Sequence, residues 1–352
     1  MPFSFRTIVL KTGLPLLLLM TISLQSSAQD KSFLPDKPGT FTIKSQPLNG
    51  QRPDLYGKPC AITNAESTAA LAELGKVIQL YRELPVLTDI KGFDAICDVG
   101  TGRWNSKFGY GVPSTVCFYL RTWSLSKGKE TQWRVEPPQW RFEVNMTEKF
   151  CSGGFNVSNF SDAYNPSNPA FSPELADRTT VALRELFMLP GVKEEVSRGI
   201  DRYGDYVVLF NPDQPPYWEQ VTVREVFRLL LDYWKHVPDK AQTDAMVPIL
   251  TSEFNRFSEA EKDGYAYFGS PESISRIGSV KNNTPVMRPN PGYWDRSLPN
   301  SAIQFMMMEI PGEEVLESKM ESALKRGDGY YYIYRLLSET DLSVLTTVIW
   351  HP

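Results

Sequence analysis

The sequence has few of the residues that carry most enzyme chemistry. Its 352 residues include only two histidines, His236 and His351, and four cysteines. The motifs GxSxG, HExxH and CxxC are absent, which argues against serine hydrolases, zinc proteases, zinc ribbons and thioredoxin-type sites. His236 ends a predicted helix, where a cation interacts favourably with the helix dipole. The sequence therefore predicts no metal and no cofactor, and it favours a protein that is not an enzyme.

Basic clusters are also missing, and so are long apolar runs beyond the N-terminal region. The formal charge is −4, and Lys and Arg are interspersed with Asp and Glu. A nucleic-acid partner or an anionic membrane surface normally requires a concentrated positive patch. A membrane-spanning helix requires about 20 apolar residues. We therefore expect no nucleic-acid partner, and no membrane span once the N-terminal region is removed.

The N-terminal region has the pattern of an export signal. Arg6 and Lys11 precede a short apolar run over residues 14–24, and Ser26-Ser27-Ala28 offers small residues for cleavage. This order of charge, apolar run and small residues is typical of signal peptides. It predicts a signal peptide over residues 1–28 and a soluble protein that is secreted or periplasmic.

All four cysteines, Cys60, Cys97, Cys117 and Cys151, lie in the N-terminal half. In an exported protein they permit two disulfides with three connectivities. Cys97 and Cys117 lie in strand-like runs, whereas Cys60 and Cys151 lie in loops. This contrast favours the pairs Cys97–Cys117 and Cys60–Cys151. Buried free thiols are the alternative.

Residues 29–160 have the pattern of one α+β unit. Thr63 and Glu66 form a capping box, and apolar residues at helical spacing follow it up to Pro85. The next four segments are rich in β-branched and aromatic residues, and they cover residues 93–99, 114–125, 131–136 and 140–145. The turn Ser126-Lys127-Gly128 indicates a hairpin. We predict an N-terminal helix plus an antiparallel meander.

Residues 161–352 follow a Gly-, Pro- and Asn-rich boundary and have the pattern of a C-terminal α/β-like unit. Strands are predicted over residues 206–210, 302–310 and 330–337, and the first has the continuous apolar run of a strand covered on both faces. Helices are predicted over residues 172–187, 223–234, 313–326 and 341–349, with a further one after Pro238 that has Pro248 near its start. The prediction is an α+β fold whose C-terminal mixed sheet, built by a right-handed crossover, is packed by about four helices. The two units are either separate or one continuous domain.

One element occurs twice in the C-terminal unit. Asn211-Pro212 precedes Tyr217-Trp218-Glu219, and Asn290-Pro291 precedes Tyr293-Trp294-Asp295. Rigid amphipathic rings beside a carboxylate suit the binding of sugars or peptides. Tyr217, Trp218, Tyr293 and Trp294 are therefore the candidate ligand-binding residues, with Asn211 and Asn290 as turn formers. The alternative is that the rings are core side chains that close a helix against the sheet.

Three functions follow from these patterns. The favoured one is an exported, non-enzymatic protein that binds a carbohydrate, a peptide or a partner protein. The first alternative is an acid–base hydrolase acting on glycans, with Glu219 and Asp295 as catalytic residues. That chemistry requires the two carboxyl groups to face one cleft about 5–10 Å apart. The second alternative is a structural or assembly component with a large apolar protein-binding surface.

Overall fold

The fold is α+β, as predicted. A computed structural model describes residues 31–46, 62–102, 111–134, 140–147, 149–151, 183, 185–236, 240–268, 277–278, 284–310 and 329–349. The predicted signal peptide, the predicted boundary around residues 153–169, the predicted helix over residues 313–326 and most of the predicted helix over residues 172–187 lie outside them.

The described ranges contain seven helices and fifteen strands. The helices are α1 (Asn64–Arg82), α2 (Pro85–Thr88), α3 (Val223–His236), α4 (Lys240–Asn255), α5 (Glu259–Asp263), α6 (Tyr330–Glu339) and α7 (Leu342–Thr346). The first six strands are β1 (Lys31–Phe33), β2 (Phe41–Gln46), β3 (Phe93–Thr101), β4 (Ser114–Ser126), β5 (Lys129–Arg134) and β6 (Trp140–Val144). The others are β7 (Phe187–Met188), β8 (Lys193–Ser197), β9 (Ile200–Tyr203), β10 (Tyr206–Phe210), β11 (Trp218–Gln220), β12 (Tyr267–Phe268), β13 (Ile277–Gly278), β14 (Thr284–Pro289) and β15 (Phe305–Glu309).

Ten of the strands form one large sheet that includes both predicted units. Its order is β2-β3-β4-β6-β15-β10-β9-β8, and β1 and β5 also pair with β4. Strands from residues 29–160 meet strands from residues 161–352 at the β6–β15 pair, where Val144 lies opposite Met306. The only parallel pair in the described sheet is β2–β3, at its N-terminal end. The C-terminal strands therefore continue the N-terminal meander with antiparallel pairs, so the predicted arrangement of a mixed C-terminal sheet is not confirmed.

The second sheet is small and antiparallel. Its order is β11-β14-β12-β13, and β7 pairs with β14. β11 and β14 are well separated in sequence, yet Glu219 lies directly opposite Arg288. This pairing brings residues near Tyr217 next to residues near Tyr293.

Local sequence patterns predicted several secondary-structure elements correctly. At the start of α1, the Glu66 amide donates to Thr63 Oγ1 (3.2 Å) and Glu66 Oε2 accepts from the Thr63 amide (2.7 Å). The hairpin between β4 and β5 turns at Lys127 and Gly128, whose φ values of 50° and 72° suit a two-residue turn of the primed type. Both the capping box and the hairpin are confirmed.

Three local predictions are wrong. Residues 330–337 belong to a helix, because Tyr332, Ile333 and Leu336 are buried at helical rather than alternating spacing. The predicted crossover into a strand is lost with it. Pro248 lies inside α4 rather than near its start. Phe187, which was expected to end a helix, begins the short strand β7.

Strand β10 of the large sheet has buried residues on both faces, whereas β8 at the end of the strand order is exposed. On one face, Val207 and Leu209 of β10 belong to a cluster that includes residues of α1, α6 and α7, and α7 contacts β10 directly. On the other face, Val208 of the same strand joins a cluster dominated by aromatic rings. A third cluster joins the small sheet to α3. The prediction that β10 is covered on both faces is therefore confirmed. No helix in the described ranges has the length and hydrophobicity to cross a membrane.

The Cys97–Cys117 disulfide is excluded by the sheet register. Cys97 lies opposite Phe118, and Cys117 lies opposite Asp98. A shift of one residue puts the two side chains on opposite faces of the sheet. Cys97 is instead a buried free thiol. Cys151 Sγ donates to the Glu185 carbonyl oxygen at 3.2 Å, and Cys60 lies outside the described residues.

Candidate functional site

The two copies of the Asn-Pro element lie against each other. The Asn290 amide donates to the Tyr217 carbonyl oxygen (3.0 Å), and Asn290 Nδ2 donates to the Pro216 carbonyl oxygen (2.7 Å). In return, the Asn211 amide donates to the Tyr293 hydroxyl (3.3 Å). The elements are therefore joined by reciprocal hydrogen bonds.

Both asparagines also stabilise their own turns. Asn211 Oδ1 accepts from the Asp213 amide, and Asn290 Oδ1 accepts from the Gly292 amide, both at 2.9 Å. Such bonds to the backbone two residues ahead are the reason asparagine favours turns. The prediction that Asn211 and Asn290 are turn formers is confirmed.

The four candidate rings are core side chains. Tyr217, Trp218 and Trp294 are each 4% exposed, and Tyr293 is 0% exposed. They pack into an aromatic layer between the two sheets; its other members are Phe150, Phe187, Tyr203, Val208, Phe305 and Met307. Trp218 Nε1 is also satisfied internally, because it donates to the Thr147 carbonyl oxygen (2.7 Å). The four rings are therefore not exposed around one groove, as ligand binding by all of them would require.

The two candidate carboxylates have separate structural partners. Glu219 Oε1 accepts from Arg288 Nε at 2.6 Å across the β11–β14 pair. Asp295 Oδ1 accepts from Ser297 Oγ (2.6 Å) and from the Ser297 amide (2.9 Å). These hydrogen bonds lower the pKa of Asp295, whereas a general acid needs a raised one. Each carboxylate therefore already accepts hydrogen bonds from a neighbouring residue of the protein.

A groove of about 620 Å³ borders the first element. Its aromatic members are Tyr203, Phe210, Tyr217, Trp218 and Tyr265, and its polar members are Lys193, Gln214, Glu219, Gln220 and Asn290. Neither Tyr293, Trp294 nor Asp295 lines it. The second copy therefore contributes only Asn290 to this concavity, whereas the first copy contributes Tyr217, Trp218 and Glu219. Glu219 and Asp295 are not brought together here as a hydrolase would require.

A buried carboxylate organises one end of the groove. Asp201 is 0% exposed, and its Oδ2 lies 2.8 Å from Lys193 Nζ. The Tyr217 hydroxyl donates to the same oxygen at 2.5 Å, so Tyr203, 2.8 Å from Tyr217, donates to the Tyr217 hydroxyl. Burial raises the pKa of Tyr217, which keeps its hydroxyl protonated as a donor. Asp201 thereby fixes three groove-lining groups in one geometry.

Sequence reasoning missed Lys193, Asp201 and Tyr265. Asp201 lies two residues before buried Tyr203 on β9, so both point to the same face of the sheet. An acid on the inward face of a strand is the signal that could have identified it. Lys193 is on the next strand, and the pairing of β8 with β9 brings it near. Tyr265 has no comparable local signal.

Within the described ranges, no group of three or more His, Cys, Asp or Glu side chains is arranged to hold a metal ion. A comparison of the chain with protein-family models, curated proteins and solved structures finds no match. The chemistry of the groove is therefore the basis for a functional proposal.

Proposed function

We propose that the protein is exported and binds a carbohydrate in the groove beside Tyr217-Trp218-Glu219, without converting it chemically. The observation that carries this proposal is the lining of the groove. It combines aromatic surface with amide side chains in a volume of about 620 Å³. Apolar surface with a few polar groups is typical of small-ligand sites.

Tyr265 supplies the exposed aromatic surface that the buried rings do not. Its side chain is 54% exposed and lines the groove. An exposed ring can pack against the apolar C–H face of a sugar, while a tyrosine hydroxyl offers a hydrogen bond at its edge. We therefore assign Tyr265 the role first expected of the four predicted rings.

Gln214 and Gln220 supply hydrogen-bonding groups of both kinds. Each amide has two donors and one acceptor oxygen, which matches hydroxyl groups that both donate and accept. Both side chains are half-buried in the groove, so they can meet a ligand without being highly mobile. This set favours a carbohydrate over a peptide, whose recognition would use side-chain pockets or a sheet edge.

The charges around the groove favour an uncharged sugar. Lys193 and Glu219 are the only charged residues among its described lining, and each has a partner of opposite sign, Asp201 and Arg288 respectively. A charge that is already compensated attracts an ionic ligand weakly. The carbohydrate is therefore expected to be neutral.

A glycan array that contains neutral and acidic glycans, run in parallel with a peptide array, tests the proposal. We expect neutral glycans to bind, and Tyr265→Ala to weaken the binding about tenfold, through the loss of about 1–1.5 kcal/mol of ring contact. Trp133→Ala is the matched control, since Trp133 is 42% exposed on β5 and does not line the groove. Binding of peptides alone, or equal loss in both variants, would contradict the proposal.

A further inference from the structure

A second cavity lies on the opposite, helical side of the large sheet. It has a volume of about 270 Å³ and lies between the end of α1 and the segment that joins α6 to α7. An apolar cavity of roughly 150 Å³ is enough to hold benzene. This cavity therefore has room for an aromatic ring with a short chain.

The wall of the cavity leaves apolar surface uncovered. Leu80 and Leu84 are half-buried, and Val344 is 39% exposed. All three line the cavity together with buried Leu345. Apolar side chains that surround one concavity, rather than being scattered singly, indicate a place where an apolar group binds.

Tyr81 adds a buried polar group to this wall. Its side chain is 1% exposed and lines the cavity, and its hydroxyl lies beside Thr340, whose own hydroxyl donates to the Leu336 carbonyl oxygen (2.6 Å). Buried hydroxyls normally have a partner, because desolvation without one is costly. Burial also raises the pKa of Tyr81, so the hydroxyl is neutral and protonated.

The charged residues of the cavity are all acidic. Glu83, Glu339 and Asp341 line it, and no basic residue is among its described lining. Glu339 is compensated by Arg335, whose Nε lies 2.9 Å from Glu339 Oε1. Glu83 and Asp341 are exposed, and among the described residues their hydrogen-bond partners are the neutral side chain of Gln79 and the neutral groups of Ser343. The rim therefore carries uncompensated negative charge.

We propose that this cavity binds a small aromatic amine, with its ring against Leu80, Leu84 and Val344 and its ammonium group at the Glu83 and Asp341 carboxylates. A ring hydroxyl on such a ligand would give the buried Tyr81 hydroxyl a further hydrogen-bond partner. The site is separate from the groove, because no residue lines both.

Titration calorimetry of the full chain with tyramine tests this proposal. Tyramine has an aromatic ring, an ammonium group and a ring hydroxyl, and hydroxyphenylpropionate replaces the ammonium by a carboxylate. We expect saturable tyramine binding and at least fivefold weaker binding of hydroxyphenylpropionate. Val344→Phe, at an exposed position, should fill the cavity and abolish tyramine binding.

A double variant that keeps the shape of both acidic side chains removes their charge without disturbing the fold. In the double variant Glu83→Gln and Asp341→Asn, glutamine can still pair with Gln79, and asparagine still caps α7. We expect about fivefold weaker tyramine binding, from two exposed ion pairs. The control is Glu194→Gln with Glu195→Gln on β8, which should leave binding unchanged. Absence of saturable binding, equal binding of the two ligands, or binding that survives Val344→Phe would overturn the proposal.

Discussion

Replacement of Lys193 by methionine should destabilise the protein far more than an ordinary surface substitution. Methionine keeps most of the aliphatic stem but leaves the Asp201 carboxylate, 0% exposed, without its ion partner at 2.8 Å. Loss of one member of a buried pair costs about 3–5 kcal/mol. Because the Lys193 side chain is 53% exposed, water can approach the site, and we reduce the expected loss to about 2 kcal/mol.

Urea denaturation measures this loss directly. With a dependence on urea of about 3 kcal/mol per molar, the unfolding midpoint should fall by roughly 0.7 M. Adding Asp201→Asn to Lys193→Met should recover part of the loss, because a neutral amide does not need a cation. We expect a coupling energy of about 1 kcal/mol or more in the double-mutant cycle.

An exposed ion pair provides the matched control. Arg198 lies 2.6 Å from Asp213, but their side chains are 74% and 62% exposed. Arg198→Met should therefore change stability by less than about 0.5 kcal/mol. If Lys193→Met costs no more than Arg198→Met, or if Lys193 and Asp201 show no coupling, the assignment of Asp201 as the organising carboxylate is refuted.

Two further predictions concern the core and the first helix. Trp218→Ala should lower stability by about 3–5 kcal/mol in urea denaturation, because it opens a cavity in the aromatic layer, whereas Trp133→Ala should cost less than about 1 kcal/mol; equal losses would contradict the core assignment. Glu66 has a pKa below its usual value of 4.5, first because it accepts from the Thr63 amide. The contribution of the Glu66 carboxylate to stability is therefore complete above about pH 4.5 and is lost as pH falls through the lowered pKa. Glu66→Gln should be less stable than wild type at pH 7, and the difference should shrink as the pH is lowered. A stability difference that does not change with pH between wild type and Glu66→Gln would contradict this linkage.

Elements set by local patterns were predictable from the sequence. The apolar run of β10 and the helical spacing in α3 each reflect burial of neighbouring residues, which local periodicity records. The segment of α6 was ambiguous because its tyrosines favour strands, while its buried residues have helical spacing. In that segment, packing against α2 and the large sheet outweighs local preference.

The candidate site depended on contacts that are distant in sequence. The groove requires β11 to pair with β14 and β8 to pair with β9, which bring Glu219 to Arg288 and Lys193 to Asp201. The aromatic elements were found in the sequence, but their burial was not, since tyrosine and tryptophan are favoured both in cores and in binding sites. Only the fold distinguishes the two uses.

Hydrogen exchange with and without a saccharide that binds the protein tests the central claim most directly. If the groove binds the sugar, exchange should slow in residues 189–193, 211–220 and 264–266, which border it, and stay unchanged in α1 and α7. Unchanged exchange in those three segments, or slowing confined to other parts of the chain, would show that the groove is not the binding site.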